Sequence, residues 1–240
     1  MNCKLFLFMK KIFLIILSVI FIVGCGKLNS RKDHSMYWQK NSAEYYALCI
    51  QAYNIAKIKI EKALTSSSDK PFAIIADIDE TVLNNLPYNE MLIDTGESFT
   101  QKTWSEWVNK KEAKPIPGSL DFFKYVEELG IEIIYLSNRR VENYESTKAN
   151  LISAGFPFDD NTIMLLRNND GNKESRRQQL SSFNIVLLLG DNLSDFNEFF
   201  YGKSNQDRIE GINLFRQKFA EQYILFPNLI YGTWEMGFEN

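Results

Sequence analysis

Apolar and polar residues fall along this chain in two kinds of block. Phe72-Ala-Ile-Ile-Ala76 is apolar without interruption and partly β-branched, the pattern of a strand buried on both faces. Ile131 to Leu136, Thr162 to Leu166, Asn184 to Leu189 and Tyr223 to Phe226 have the same character and predict four more strands. Helical spacing fills the intervals. From Met36 to Leu64, the residues Tyr45, Leu48, Cys49, Ala52, Ile55, Ala56 and Lys59 recur three or four apart, until Ser66-Ser-Ser-Asp-Lys-Pro71 breaks the pattern. A helix is predicted from Pro117-Gly118 through Leu120, Phe123, Tyr125 and Val126 to a stop at Gly130. Others are predicted from Val141 to Ala154, from Lys173 to Ser181 (short and basic) and from Arg208 to Phe219. Strands alternating with helices imply an α/β fold, Rossmann-like, with a mostly parallel sheet and right-handed crossovers. Asn84 to Pro117 is too long for an ordinary connection and carries Tyr88, Phe99, Trp104 and Trp107, which predicts a lid or small subdomain. A small, mainly helical cap is expected from about 36–64 together with 84–116.

The first block differs from all of these. Lys10-Lys11 precedes Ile12 to Val23, an apolar run broken only by Ser18 and too short to span a bilayer comfortably. It has the form of an export signal, expected over 1–24. It ends at Ile22-Val23-Gly24-Cys25, which resembles a bacterial lipobox, so Cys25 is the expected site of lipidation and 25–35 a polar tether. The alternatives are an ordinary secretory signal with an incidental Cys25 and an uncleaved anchor, which would leave the protein on the same membrane. On the first reading the mature protein sits on the bacterial cell envelope, at the outer membrane or cell surface. Gly26, where a retention signal has Asp, argues against holding at an inner membrane.

Composition mostly excludes. The 240 residues are 45% hydrophobic and 14% aromatic, enough for one cored domain, and no repeat or low-complexity segment interrupts them. Net charge is −3, the first 24 residues carry +3, and the remainder therefore carries −6 without a long basic run; binding to a nucleic acid polymer is not expected. Three cysteines are too few for a disulfide framework. The single histidine, His34, excludes phosphohistidine chemistry and histidine-ligated dinuclear centres.

Candidate chemistry gathers at the predicted strand ends. Asp77 and Asp79, two apart after the first strand, aim their carboxylates into one space, at the edge where open α/β sheets bind ligands. The second strand supplies Ser137, Asn138 and Arg139; Lys173 precedes the fourth, and Asp191 and Asp195 follow it. Such an acidic cluster demands a hard cation, and an all-oxygen donor set favours magnesium over zinc. A lysine, a hydroxyl and a metal converging on an aspartate suit one task, holding a phosphoryl group while the carboxylate attacks. Gly190 is expected to let the backbone approach the metal closely. Asp195 has a second reading as a cap, Asp191 as a turn residue and Ser137 as a helix N-cap. Arg176 and Arg177 are expected to face solvent.

The segments Asp77-Ile-Asp79-Glu-Thr-Val-Leu-x-Asn85-x-x-Tyr88 and Gly190-Asp191-Asn192-x-x-Asp195-Phe196 resemble, together, the signature of the class C bacterial acid phosphatases. These are lipoproteins of the haloacid dehalogenase (HAD) superfamily, also called four-aspartate phosphatases. The resemblance runs from about Met36 to the C-terminus, and the lipobox agrees with it independently. It implies that Asp77 is the nucleophile, and that Asp79 is the acid and base, its backbone carbonyl also touching Mg2+. It makes Asp191 the other direct metal ligand, and has Asp195 orient Lys173 or a metal-bound water. Ser137 and Lys173 would hold the phosphoryl oxygens, with Asn138 and Asn192 supporting the site. Asp77, beside metal and ammonium, should stay charged, while Asp79 can hold a proton at mildly acidic pH. An aromatic clamp on a nucleobase or nicotinamide is expected from Tyr231, Trp104 and Phe99. The implied activity is magnesium-dependent hydrolysis of 5′-nucleotides, including nicotinamide mononucleotide, and family members are often dimers. The rival readings are a broad scavenger of aryl or sugar phosphates and a non-catalytic surface-binding lipoprotein.

Overall fold

A computed structural model of the chain describes residues 34–237. The expected leader, Cys25 and most of the expected tether lie outside the described residues. The strands are β1 (Phe72–Ala76), β2 (Leu83–Asn84), β3 (Lys114–Pro115), β4 (Glu132–Arg140), β5 (Ile163–Arg167), β6 (Asn184–Gly190) and β7 (Tyr223–Leu225). The helices are α1 (Ala43–Ala63), α2 (Leu86–Thr95), α3 (Gln101–Lys110), α4 (Ser119–Glu128), α5 (Tyr144–Ser153), α6 (Glu174–Gln178), α7 (Asn205–Leu214) and α8 (Arg216–Glu221). Five strands form a parallel sheet in the order β5-β4-β1-β6-β7, flanked by helices as the sequence pattern implies. The chain steps outward from β1 to β4 and β5, then crosses back to lay β6 and β7 on the other side. That reversal beside β1 opens a crevice at the C-terminal strand ends, where doubly wound sheets bind ligands.

The unbroken apolar run of β1 has a direct cause. Ile74 and Ala76 enter one core cluster and Ala73 and Ile75 the other, so neither face of the strand meets water. The larger cluster also takes in Tyr45, Cys49, Ala52, Tyr53, Ala56 and Ile60 of α1. Helix α1 thus lies on the sheet, against β6 and β7, and does not contribute to the cap. Its apolar stripe is what a sheet-covering helix needs, and sequence spacing cannot say which partner will cover it. The long periodic run from Met36 is also two helical pieces, divided at Ser42, whose Oγ caps α1 by accepting from Tyr45 N at 3.1 Å.

The body of the cap is the 84–116 part, and from the 36–64 part Lys40 pairs with Glu90 of α2 at 2.5 Å. The antiparallel pair β2–β3 (Leu83 opposite Pro115, Asn84 opposite Lys114) closes its neck, and α2 and α3 form its body. Thr100 and Thr103 build a capping box at the start of α3, which buries Trp104, Trp107 and Val108. Three boundaries differ from expectation. Strand β4 runs on to Arg140, which pairs with Arg167 past an irregularity after Leu136. Helix α5 is entered through a 3₁₀ turn at Val141–Asn143. The helix predicted from Arg208 starts earlier, at Asn205 behind the Ser204 cap, and is split into α7 and α8. Among the described residues no helix is long and apolar enough to cross a membrane.

Candidate active site

The loop after β1 is wound tightly. Asp77 N donates to Leu189 O (2.9 Å), tying the loop to β6, while Val82 N and Leu83 N both donate to Ile78 O. Ile78, between the two aspartates, is fully buried, which leaves Asp77 and Asp79 directed to the other side. Glu80 adopts φ 55°, an uncommon conformation for a residue with a Cβ. Its buried carboxyl holds the strained turn by accepting from Asn85 N at 2.8 Å and from the hydroxyl of Tyr231. Burial, then the charges of Asp79 and Asp191, push the Glu80 carboxyl well above its usual range. From below, Tyr53 of α1 donates to Thr81 O (2.5 Å).

On the β6 side, carboxyl oxygens of Asp77, Asp191 and Asp195 all lie within 4.8 Å of one another. Buried Lys173, just ahead of α6, donates to Asp77 Oδ1 at 2.5 Å and pairs with Asp195 Oδ1 at 2.7 Å. The other oxygen of Asp195 accepts from Asn192 N (2.9 Å), so its two readings are both realised: it caps a 3₁₀ turn and orients the lysine. Gly190 also makes room inside the site. A Cβ there would meet Asp195 Cβ and Oδ2 at 2.5 Å, so only glycine leaves room for the aspartate to fold back. Asp191 makes no ion pair among the described residues; its Oδ2 accepts from the carboxamide of Asn228 at 2.7 Å.

Three carboxylates thus face one ammonium, leaving two negative charges that one divalent cation would neutralise. The same imbalance shifts the groups themselves. Burial raises Asp77 to about 7; Lys173 pulls the other way but does not cancel burial together with the charges of Asp195 and Asp79. Asp191 is raised well above the carboxylate range by burial and then by Asp195 and Asp77. Lys173 is raised although burial lowers it, because Asp195 and Asp77 outweigh that cost. The expectation that Asp77 stays charged therefore requires more than its lysine. Burial and the neighbouring carboxylates leave Asp77 harder to ionise than a free carboxyl, and a bound cation would favour its charged form. The all-oxygen donor set fits a hard divalent ion.

On the β4 side the charges balance. Arg139, buried with no exposed side-chain surface, donates to Asp79 Oδ1 through Nε (3.0 Å) and Nη2 (2.8 Å). Asn85 Nδ2 adds a third bond to the same oxygen (2.9 Å), and none of the three uses Oδ2. Trp107 Nε1 fixes Asn85 by donating to its Oδ1 (2.8 Å). Ser137 is fully buried within β4, and its Oγ accepts from Arg139 N at 3.1 Å. It is not a helix N-cap; Arg140 takes that place before the 3₁₀ turn. Arg176 and Arg177 do not face solvent. Arg176 is buried and donates to Ser137 O and Asn138 Oδ1, both at 2.6 Å, and Arg177 holds Asp195 O at 2.9 Å. The carbonyls that strand ends expose need donors, and a short basic helix above them supplies two.

These groups floor a cavity of about 750 Å³. One wall is the cap, with Tyr88, Phe99 and Trp104; Trp104 is buried edge-on to Tyr88, carries Arg139 over its ring, and leaves Phe99 exposed at the rim. The opposite wall is the segment after β7, with Tyr231, Gly232 and Thr233, latched by the Tyr231–Glu80 contact and by Asn192 Nδ2 donating to Thr233 Oγ1 (2.9 Å). Asp77, Asp79, Asn138, Lys173, Asp191, Asn192 and Asp195 also line the cavity. Sequence reasoning missed Asn228 and the roles of Arg139, Asn85, Glu80 and Arg176. Asn85 and Glu80 stand inside the quoted motif and Arg139 at a noted strand end, but nothing in local spacing pairs them; Asn228 carries no local signal.

The comparisons with known proteins agree with this geometry. A class C acid phosphatase from Bacillus anthracis, whose structure was solved with tungstate bound, superimposes with a TM-score of 0.82 at 40% identity, over 87% of this chain and 88% of that one. A second structure of the Bacillus anthracis enzyme gives the same values. Among curated proteins, a stem 31 kDa glycoprotein of Glycine max is 34% identical over 128 residues, and acid phosphatase 1 of Solanum lycopersicum is 32% identical over 130. Each alignment covers 50% of this chain and 50% of the relative, so the chain spans about half the length of the curated relatives it matches. The family description HAD superfamily, subfamily IIIB (acid phosphatase) matches residues 26–234, and the chain belongs to that family.

Proposed function

We propose that this protein is a magnesium-dependent acid phosphomonoesterase acting on 5′-nucleotides, nicotinamide mononucleotide among them. The observation that carries the reading is the uncompensated acidic cluster of Asp77, Asp191 and Asp195 around Lys173. In the proposed reaction Asp77 attacks phosphorus and forms an aspartyl phosphate. Lys173, already bonded to Asp77, neutralises a phosphoryl oxygen as the carboxylate approaches. Asp79, held through Oδ1, keeps Oδ2 for the leaving oxygen; it gives that oxygen a proton and later takes one from the attacking water. Asp77 and Asp191, with Asp195 beside them, would hold the magnesium ion. When bound, the ion supplies positive charge that lets a carboxylate meet a phosphate dianion.

The acid character is carried over from the name of the Bacillus anthracis and tomato relatives, and the tungstate bound to the former supports an oxyanion site in this one. The aromatic cap wall and Tyr231 support recognition of a base ring. Tethering through Cys25 to the cell envelope completes the proposal, and would place the enzyme where nucleosides are released for import. Phosphate release from AMP and from ribose 5-phosphate, with and without EDTA, tests it. AMP should be the better substrate and EDTA should silence both reactions. Equal turnover of the two would instead favour the broad scavenger reading, and full activity after chelation would refute the metal site.

A further inference from the structure

Three cationic side chains line the cavity, and they are not equivalent. Lys173 is matched by Asp77 and Asp195, and Arg139 by Asp79. Arg167, at the end of β5, reaches only Gln101 Oε1, at 3.4 Å, and makes no ion pair among the described residues. Its surroundings add positive charge. Arg140 is its partner in the β4–β5 register, with Nε buried and unbonded, and the nearby guanidinium of Arg176 feels Arg167 as a repulsive neighbour. Like charges set side by side on adjacent strands cost stability. The carboxylate closest in sequence, Asp170, is exposed and accepts from Asn172 N and Tyr201 OH.

The opposite end of the cavity has the other sign. Glu235, on the segment latched to Asn192 beside β6, is a charged wall residue there, and among the described residues its side chain accepts only from Gly232 N at 3.3 Å. The sheet order β5-β4-β1-β6-β7 puts Arg167, on β5, three strands from β6, which leads into the turn that latches the Glu235 segment. It also sets Arg167 two strands from Asp77, about 10 Å away along the strand ends. That is the breadth of a small phosphorylated molecule.

We propose that the β5 end of the cavity, with Arg167 on its wall, binds a second anionic group of the substrate, a carboxylate or a phosphate. Beside 5′-nucleotides, the cavity then accepts phosphomonoesters that carry a further negative charge remote from the scissile phosphate, and binds them more tightly than their neutral analogues. The inference rests on the phosphomonoesterase reading and adds a substrate class to it. A guanidinium suits the task because its planar fork donates two parallel hydrogen bonds to either kind of oxyanion.

The test is steady-state kinetics of the magnesium-supplemented protein on 4-(carboxymethyl)phenyl phosphate and its neutral carboxamide, which share shape and leaving group. The carboxylate ester should have the lower KM by about ten-fold, the ratio expected of one charge-assisted contact. Arg167→Gln should remove that ratio, and Arg167→Lys should restore part of it. Equal KM values in the parent protein, or an Arg167→Gln variant in which both rise alike, would overturn the second-anion site and leave the phosphatase reading standing. Hydrolysis of neither ester would overturn both.

Discussion

The two halves of the site share strand β1 and differ in how they treat charge. On the β4 side, Asp79 is matched by Arg139 and further bonded by Asn85, which Trp107 fixes in turn. On the β6 side, Lys173 pairs with Asp77 and Asp195, and Asp191, within 4.8 Å of both, is left with an amide. The balanced half is finished by the protein, and its function is to hold one carboxylate still. The unbalanced half is costly for the protein alone, a cost that a bound cation would offset. Binding energy is thereby concentrated where chemistry occurs, whereas the other half supplies stiffness.

Substitutions can break this contrast. The largest effect is expected from Asp77→Asn, which should lower the turnover number by about four orders of magnitude or more, measured as phosphate release at saturating substrate. In the metal-free protein the same change removes a buried like charge, so at pH 8 it should raise stability by about 1 kcal/mol, or Tm by about 2–4 °C. Arg139→Leu should do the reverse. It leaves Asp79, only 17% exposed, without its guanidinium and should cost about 3 kcal/mol in a urea titration, because a largely buried charge loses its partner. A stability loss from Asp77→Asn matching that of Arg139→Leu would erase the distinction.

Acidity sharpens the comparison further. Asp77 and Asp191 have raised carboxyls in the folded state, so the fold binds their protons more tightly than the unfolded chain does. The stabilisation this gives is complete below the unfolded value, near 4, and is lost as pH rises through about 7 for Asp77. Metal-free protein should therefore gain stability from pH 8 down to pH 5, by about 1.4 kcal/mol per pH unit for each extra bound proton. Added magnesium should flatten the curve, as read from Tm across a pH series. The smallest effect belongs to the rim. Phe99, 62% exposed, packs loosely against Tyr88 and Trp104, so Phe99→Ala should move stability by less than about 0.5 kcal/mol. It should raise KM for AMP about three- to ten-fold, the value of one aromatic contact, with little change for ribose 5-phosphate.

What was legible in the sequence followed from short-range geometry. An apolar strand with Asp77 and Asp79 two apart beyond its end needs only the pleat to bring both carboxylates to one side. Gly190 to Asp195 is likewise a local turn, whose cap can be read from its own residues. Helix α1 was legible as a helix and misplaced as part of the cap, because an apolar stripe specifies burial without specifying a partner. Arg176 and Arg177 were misjudged for the converse reason: they occupy a polar helix, yet β4 and the turn after β6 bring carbonyls to them.

By itself, then, the amino-acid order determined the succession of strands and helices, the acidic residues at their ends and the insertion that becomes a cap, since each depends on neighbours a few positions apart. Only the tertiary structure decided how those acids divide. Arg139 lies 60 residues from Asp79 and Lys173 lies 96 from Asp77, while Asn228 meets Asp191 across 37. Charges so distant in the chain are joined by the crossing order of the strands. The electrostatic character of each aspartate is therefore set by its partners across the sheet.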